Sequence, residues 1–494
     1  MRHTWIVLLL GWPLLSLAIP EGPEPGTPEW QARELQNYAR ALSAPVEQLR
    51  PSFQLRLQTQ SLQNELQWLQ RAANDPSWLD PRSGNTNVSP LCTSWMEQCA
   101  GDPFRYPGVD PFYDLDGEFQ EVVFYDAQCA RISGRVWAPL GADAGANLPT
   151  VVIETGSVQA PEPLYWWMAQ ALVRAGYVTM TFDVRGQGRS DFQSPDGEQG
   201  GNVNSTVFWE GLVNAIDFFR SSPEQPYPHN LRCEGTYPTP TTPHNPYWDK
   251  MDLERLGLAG HSLGARGVSI VQEYGAEGAP DWPGLIDDHN PVDVIVAWDS
   301  LSSSVTPRVP AMGHTSEYGL TPVPNSSAPD PEAHKTAFAN WQAAGLPVYQ
   351  ITPQGSTHYE WSLIPTFPAS SWCPEDDGSQ CADGLGLAMA EHYSLAWFDR
   401  WLKRPGEAGY TNADERLLDD AAWQSFYSFY YRSARFFPDQ QGTIHECGDI
   451  RAGCDNPNRQ NSLTTSAGGL GWMALLSLIL LTRRRKTLVP YSQL

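Results

Sequence analysis

The sequence predicts an α/β protein: a doubly wound, mostly parallel sheet flanked by helices, with a helical extension at its N-terminus. Three observations predict this fold class. Short apolar runs of the kind that become buried parallel strands recur from about residue 119 onward. Helical stretches separate them, and strand and helix in repetition build a doubly wound sheet. Ahead of them, residues 30–73 contain no Gly and space their apolar residues as two helices would, with a break near Pro45–Pro51.

The elements follow in chain order. An antiparallel pair is predicted from "FQEVVFYDAQCARISGRVWAP", which begins at Phe119. Six further strands are predicted from short apolar runs: "PTVVIET", "YVTMTFD", "LGLAG", "VDVIVAWD", "VPAMG" and "LPVYQIT". Helices are predicted from the longer stretches between and after them: "LYWWMAQALVRAG", "VFWEGLVNAIDFFRSS", "GARGVSIVQEYG" and the closing "AEHYSLAWFDRWLK". A second closing helix is predicted from "ADERLLDDAAWQSFYSFYYRSARFF".

The N-terminus has the composition of a signal peptide. A short basic start precedes an apolar run from Trp5 to Leu17, and small residues then lead into a stretch rich in Pro and Glu. We expect cleavage near Ala18, with an uncleaved anchor as the alternative.

The C-terminus has a short apolar segment from Ala467 to Thr482, followed by four basic residues, 483–486. The segment is slightly shorter than the ~20 residues of a full span, and the charges after it would stay in the cytoplasm. With Gly468-Gly469 at its start, it resembles the GlyGly-type sorting tails of Gram-negative bacterial surface proteins. That resemblance implies removal by an intramembrane protease, and a retained single-pass anchor is the alternative. Either one predicts an exported protein, at the cell surface or extracellular, with membrane contact through this segment unless it is cleaved.

The sequence predicts five segments along the chain, and its net charge argues against nucleic acid as a ligand. The predicted segments are a signal peptide (1–18), a linker with the helical N-terminal extension (19–118), the catalytic domain (119–404), a helical extension with a disulfide loop (405–465) and the apolar tail with its basic stop (466–494). The net charge is −24, from 56 acidic and 32 basic residues. No basic stripe exists to neutralise phosphates, which argues against nucleic acid as a ligand.

The eight cysteines favour disulfides, because their number is even and the chain is predicted to be exported. Six fall into close pairs within loop-like segments: Cys92/Cys99, Cys373/Cys381 and Cys447/Cys454. We expect these three local bonds and a fourth between Cys129 and Cys233. Zinc is disfavoured, since the sequence has no C-x-x-C and only His445 lies beside one of the pairs.

Ser262 is the candidate nucleophile. It is the centre of "GHSLG", which fits G-x-S-x-G, and it lies between a short apolar run and a helical stretch that begins with small residues. Strand, turn and helix form the context that a nucleophile elbow needs. Gly260 and Gly264 would let the strand and the helix pass closely around the strained turn.

Together with "VVIETGSVQ" and "DVRGQGRSD" upstream, this pattern closely resembles the α/β-hydrolase family. In that family the loop after the first of these strands donates an oxyanion-hole N–H and usually carries His-Gly, where this chain has Thr155-Gly156-Ser157. The resemblance implies the backbone N–H groups of Ser157 and Leu263 as oxyanion donors. The segment from Asp183 to Ser190 is interpreted as a structural turn.

A serine hydroxyl needs a base to take its proton before it can attack. In the α/β-hydrolase family the catalytic residues follow one another along the chain as serine, acid and histidine. His358 follows the last predicted strand and a Gly-Ser-Thr turn, so it is the candidate base. His261 is adjacent to Ser262 and is a poor candidate. The acid is either Glu317, after the penultimate strand, or Asp299, directly after the strand before it. We prefer Glu317 on family position and keep Asp299 as the alternative.

The predicted function is therefore an exported serine hydrolase that cleaves carboxylic esters through an acyl-enzyme, with no metal or organic cofactor. The aromatic cluster from Tyr165 to Met168, together with Trp361, suggests an apolar acyl or alcohol group in the substrate, although core packing explains such residues too. We expect a small-molecule or lipid-like ester as substrate. The alternatives are a peptidase or acyltransferase on the same fold, and a surface binding protein without catalysis. The sequence does not indicate the oligomeric state.

Overall fold

The computed structural model describes residues 23–41, 50–79, 100–157, 160–320, 323–363 and 385–454. The predicted signal peptide, the C-terminal tail and the pairs Cys92/Cys99 and Cys373/Cys381 lie outside the described residues. Among those described, the structure contains the disulfides Cys129–Cys233 and Cys447–Cys454, as predicted.

Ten strands form one sheet in the described part of the chain. They are β1 (Gly117–Tyr125), β2 (Arg131–Pro139), β3 (Leu148–Glu154), β4 (Val178–Asp183), β5 (Met251–His261), β6 (Val292–Trp298), β7 (Ala311–His314), β8 (Val348–Ile351), β9 (Ala434–Pro438) and β10 (Ile444–Cys447). Their spatial order is β1-β2-β4-β3-β5-β6-β7-β8-β9-β10. The six central strands, β4 to β8 in this order, run parallel. The two strands at each edge pair antiparallel, so the sheet is parallel only in its middle.

The helices are α1 (Pro28–Ala41), α2 (Pro51–Asn74), α3 (Phe112–Leu115), α4 (Trp166–Arg174), α5 (Val207–Arg220), α6 (Pro228–Arg232), α7 (Leu263–Glu273), α8 (Thr336–Ala343), α9 (Leu385–Leu402), α10 (Ala413–Leu418) and α11 (Asp420–Trp423). The structure describes α1 up to Ala41 and α2 from Pro51, and the predicted break near Pro45–Pro51 lies mostly outside the described residues. No helix among the described residues combines the length and apolar character needed to cross a bilayer.

The sheet has a core on each face. Successive residues of a strand point to opposite faces, and β3 shows it clearly. Val151 and Ile153 pack with α4 and α9, whereas Val152 between them packs with α5, α7 and α8. All three side chains are fully buried. Helices on both faces of a central sheet give the doubly wound arrangement that the sequence predicts.

The prediction of a second closing helix after residue 410 is wrong. The segment forms the two short helices α10 and α11 and then the strand β9, which pairs antiparallel with β8. The Asp419 side chain accepts from the Ala422 N–H and caps a new helix there, which interrupts the first one. The aromatic run further on is then free to extend the sheet, where such side chains pack well.

Candidate active site

The candidate residues come together because their strands end at the same edge of the sheet. In the strand register, Glu154 of β3 pairs with Gly260 of β5. His261 of β5 pairs with Trp298 of β6, and Trp298 pairs with His314 of β7. Ser157, Ser262, Asp299, Glu317 and His358 all follow these carboxyl ends, the last from β8. In open α/β sheets this edge is where ligands bind.

Ser262 occupies a strained turn between β5 and α7. Its backbone angles are φ 59° and ψ −117°, in a region that a residue with a side chain rarely adopts, at a cost of about 1–3 kcal/mol. The Ser262 N–H donates to the Trp298 carbonyl at 3.0 Å, which ties the turn to β6. The side chain is half-buried. Such strain is characteristic of functional sites.

The two glycines of the turn are required by close approach. A Cβ on Gly264 would lie 2.5 Å from the Thr155 carbonyl oxygen, and one on Gly260 would collide with the backbone of Gly264. The start of α7 therefore lies directly against Glu154 and Thr155, which lead into the loop that carries Ser157, and Leu263 is the first residue of α7. Both of these candidate oxyanion donors are half-buried. The first N–H groups of a helix have no partner inside it, so the Leu263 N–H suits this role.

His358 contacts Asp299. Its Nδ1 hydrogen bonds to Asp299 Oδ2, and the other carboxylate oxygen accepts from the N–H (2.8 Å) and Oγ–H (2.9 Å) of Ser316. Burial raises the pKa of Asp299, but the charge and hydrogen bond of His358 outweigh it and hold that pKa well below its usual range. Because Nδ1 bonds to the carboxylate, Nε2 is the nitrogen left to take a proton. Asp299 and Ser300 also have positive φ, 65° and 94°.

Glu317 does not contact His358 through its carboxylate in this arrangement. Its two oxygens accept from the Gly355 N–H and from Ser428 Oγ–H, the latter at 2.6 Å. Its own N–H donates to Ser356 Oγ at 3.1 Å. Burial raises the pKa of Glu317 against the lowering effect of these hydrogen bonds. The side chain thus holds the turn that precedes His358, and the structure brings together Asp299 and His358 instead of the preferred pair.

The segment from Asp183 to Ser190 is a turn that the carboxylate of Asp183 stabilises. Asp183 accepts from the Arg189 N–H at 3.0 Å and from the Glu162 N–H at 2.8 Å. Ser190 Oγ–H donates to the Asp183 carbonyl. These contacts agree with the structural interpretation of the motif, and they connect it to the loop that leads into α4.

The N-terminal helix α1 packs beside the loop that follows β7. Glu34 is buried, and its carboxylate accepts from the hydroxyls of Tyr318 (3.1 Å) and Tyr430 and from the Asn325 N–H (2.7 Å). The same loop also contacts the candidate base through the backbone, because the His358 N–H donates to the Gly319 carbonyl at 3.0 Å. No local pattern in the sequence distinguishes Glu34 from the other acidic residues of a helix, so sequence reasoning missed it.

The aromatic cluster that follows the loop after β3 belongs to the hydrophobic core. Tyr165, Trp166, Trp167, Met168 and Trp361 are each 1% exposed or less. In this structure they offer no surface to a substrate, which removes the hint of an apolar acyl group that the sequence suggested. Among the residues that the structure describes, no group of three His, Cys, Asp or Glu side chains is arranged to hold a metal ion.

No model of a known protein family matches the chain. No curated protein sequence matches it either. Among solved structures, the chain is similar to a ferulic acid esterase from Streptomyces cinnamoneus, with 14% sequence identity and a TM-score of 0.35, over 60% of this chain and 94% of that one.

Proposed function

We propose that the protein is an exported serine hydrolase that cleaves carboxylic esters, with Ser262 as nucleophile, His358 as base and Asp299 as the acid. One observation carries the proposal: a serine on a strained strand-to-helix turn follows β5, and a hydrogen-bonded His358–Asp299 pair lies at the same sheet edge. Nucleophile, base and orienting carboxylate are the three roles that acyl transfer needs.

In the first half of the reaction, Ser262 Oγ attacks the ester carbonyl carbon and its proton passes to His358 Nε2. The backbone N–H groups of Ser157 and Leu263 stabilise the oxyanion that forms. The intermediate then breaks its bond to the alcohol, which leaves with the proton from His358. The product is an acyl-enzyme, and Asp299 stabilises the imidazolium in between.

In the second half, water takes the place of the alcohol. His358 Nε2 accepts a proton from the water as its oxygen attacks the acyl carbon, and the same two N–H groups stabilise the second oxyanion. Collapse breaks the bond to Ser262 Oγ, which recovers its proton from His358, and the carboxylic acid leaves. We propose a small-molecule ester as substrate.

Export to the cell surface or the extracellular space of a Gram-negative bacterium is part of the proposal. The two disulfides support it, because such bonds persist in oxidising compartments. Mass spectrometry of the protein isolated from its native cell should find a mature N-terminus after Ala18. An intact Met1 in the surface fraction would contradict cleavage.

The decisive experiment is labelling with a fluorophosphonate probe. We expect an adduct on Ser262 in the folded protein, none in Ser262→Ala, and hydrolysis of p-nitrophenyl esters that Ser262→Ala reduces by about 10⁴-fold or more. A series of acyl chain lengths then defines the preferred ester. Folded protein without an adduct contradicts the enzyme and favours a binding protein, whereas faster turnover of amides, or transfer to an added alcohol in preference to water, indicates a peptidase or an acyltransferase.

A further inference from the structure

His261, next to the nucleophile, is the centre of a directed chain of hydrogen bonds. His261 Nε2 lies 2.7 Å from the His358 carbonyl oxygen, which only accepts, so Nε2 carries the proton. Nδ1 is then an acceptor, and the Tyr165 hydroxyl donates to it at 2.8 Å. The Tyr165 oxygen in turn accepts from the Gly156 N–H at 2.9 Å. The chain therefore joins the backbone of the candidate base to the loop that carries Ser157.

The buried position of His261 keeps its ring neutral, and this preserves the donor-to-acceptor direction of the hydrogen bonds. Burial and the charge of His358 lower the pKa of His261 to about 3, so the ring stays neutral and Nδ1 stays an acceptor near neutral pH. Tyr165 is fully buried and His261 is 3% exposed. Gly156 leaves room for the chain, because a Cβ there would lie 2.8 Å from the Tyr165 hydroxyl oxygen and 2.9 Å from His261 Nδ1.

Gln187 holds the other side of Gly156. Its Nε2–H donates to the Gly156 carbonyl oxygen at 2.6 Å, and Gln187 is fully buried. The peptide between Gly156 and Ser157 is planar and trans, so its C=O and its N–H point in opposite directions. Fixing the Gly156 carbonyl therefore fixes the direction of the Ser157 N–H.

We infer that Tyr165, Gln187 and His261 are positioning residues, which set the Ser157 N–H relative to the backbone of His358. This inference rests on the proposed function. The base and the oxyanion donor belong to loops after β8 and β3, strands that are not neighbours in the sheet. The chain through His261 connects these two loops directly. Near-ideal geometry matters because a misplacement of about 1 Å can cost about 10²-fold in rate.

The first test is Tyr165→Phe, which removes one hydroxyl and leaves the ring. With a p-nitrophenyl ester at saturation we expect kcat to fall about 10- to 100-fold with KM nearly unchanged. Affinity for a trifluoromethyl ketone, which forms an oxyanion on Ser262, should fall in parallel, a change that lost stability alone does not cause. The matched control is Tyr177→Phe, since Tyr177 is also fully buried and donates one hydrogen bond, to Asp399 at 2.6 Å. We expect it to keep kcat.

Two further variants examine the rest of the network. Gln187→Glu places a carboxylate against the Gly156 carbonyl and should lower kcat and ketone affinity as Tyr165→Phe does. His261→Gln retains a donor and an acceptor and should keep more activity than His261→Leu. Equal kcat and ketone affinity in Tyr165→Phe and Tyr177→Phe would overturn the inference while the proposed function stands. A wild-type protein that neither turns over esters nor forms the Ser262 adduct would overturn both.

Discussion

Two carboxyl groups, one half-buried and one buried, follow neighbouring strands near the candidate base, and they make different contacts. Asp299 directly follows β6, and Glu317 comes three residues after the end of β7, the neighbouring strand. The side chain of Asp299 is 10% exposed, and Glu317 is 4% exposed. Asp299 bonds to the imidazole of His358, whereas Glu317 bonds to the backbone of Gly355 and to the hydroxyl of Ser428.

Burial alone therefore does not decide whether a carboxyl group is charged. Burial raises the pKa of both residues. The interactions with His358 and Ser316 outweigh burial at Asp299, whereas the hydrogen bonds from Ser428 and Gly355 and the charge of Arg33 do not outweigh it at Glu317. A carboxylate that stays charged beside an imidazole can stabilise an imidazolium. A carboxyl group bonded to neutral donors is better suited to hold a loop in place.

The largest effect is expected from Asp299→Asn. The amide cannot stabilise the imidazolium, and its NH₂ group favours the wrong tautomer of His358, so we expect kcat to fall by about 10³- to 10⁴-fold. Steady-state hydrolysis of a p-nitrophenyl ester measures it, with circular dichroism to show that the variant is folded. A loss of less than about tenfold would mean that another group is the acid.

A smaller effect on activity is expected from Glu317→Gln. The amide keeps one acceptor but presents its NH₂ to a donor, so the turn before His358 should lose about 1–3 kcal/mol of stability. We expect kcat to fall by less than about tenfold in the same assay, and urea unfolding to give the stability. If Glu317→Gln lost as much activity as Asp299→Asn, the division of roles between the two carboxyl groups would be refuted.

The smallest effect is a difference in the sign of the pH dependence of stability. The lowered pKa of Asp299 contributes stability that is present above its unfolded value of 3.8 and is lost as the pH falls through the folded pKa. The raised pKa of Glu317 contributes stability that is present below 4.5 and is lost as the pH rises through the folded pKa.

Urea unfolding between about pH 3.5 and 7.5 compares the two signs, because each tenfold change in proton affinity corresponds to about 1.4 kcal/mol. The advantage of the wild type over Asp299→Asn should be complete above about pH 5 and should begin to fall as the pH drops toward 3.5. Its advantage over Glu317→Gln should instead shrink as the pH rises above 4.5. Parallel curves for the two variants would show that the two groups respond alike and would contradict the assigned pKa directions.

Most of the sheet could be predicted because its signals are local. The apolar runs that became β3 to β8 are short and buried on both faces, and each is bounded by turn residues. The antiparallel strand β9 was missed because an aromatic run such as "SFYYRSARFF" carries no periodicity that separates strand from helix. It became a strand by pairing with β8, which is a long-range contact.

The choice of acid could not be predicted for a related reason. Both carboxyl groups follow strands that end at the same edge, so sequence position makes either one available to His358. Which of them meets the imidazole depends on the path of the loops, and those paths are set by contacts far apart in the chain. Ser316 holds the second oxygen of Asp299, and Ser428 holds Glu317. The bond from Glu34 of α1 to Tyr318 spans even more of the chain.

Three features could be predicted from the sequence: the alternation of strands and helices, the strained turn at Ser262 and the placement of His358 after the last parallel strand. Each of these follows from residues close together in the chain, whose periodicity and turn chemistry act locally. Three other features depend on the folded chain: Asp299 contacts His358, Glu317 and Glu34 hold loops, and Tyr165 and His261 link the loops after β3 and β8. Those contacts join distant segments, and a buried polar group takes whichever partner the fold brings within reach.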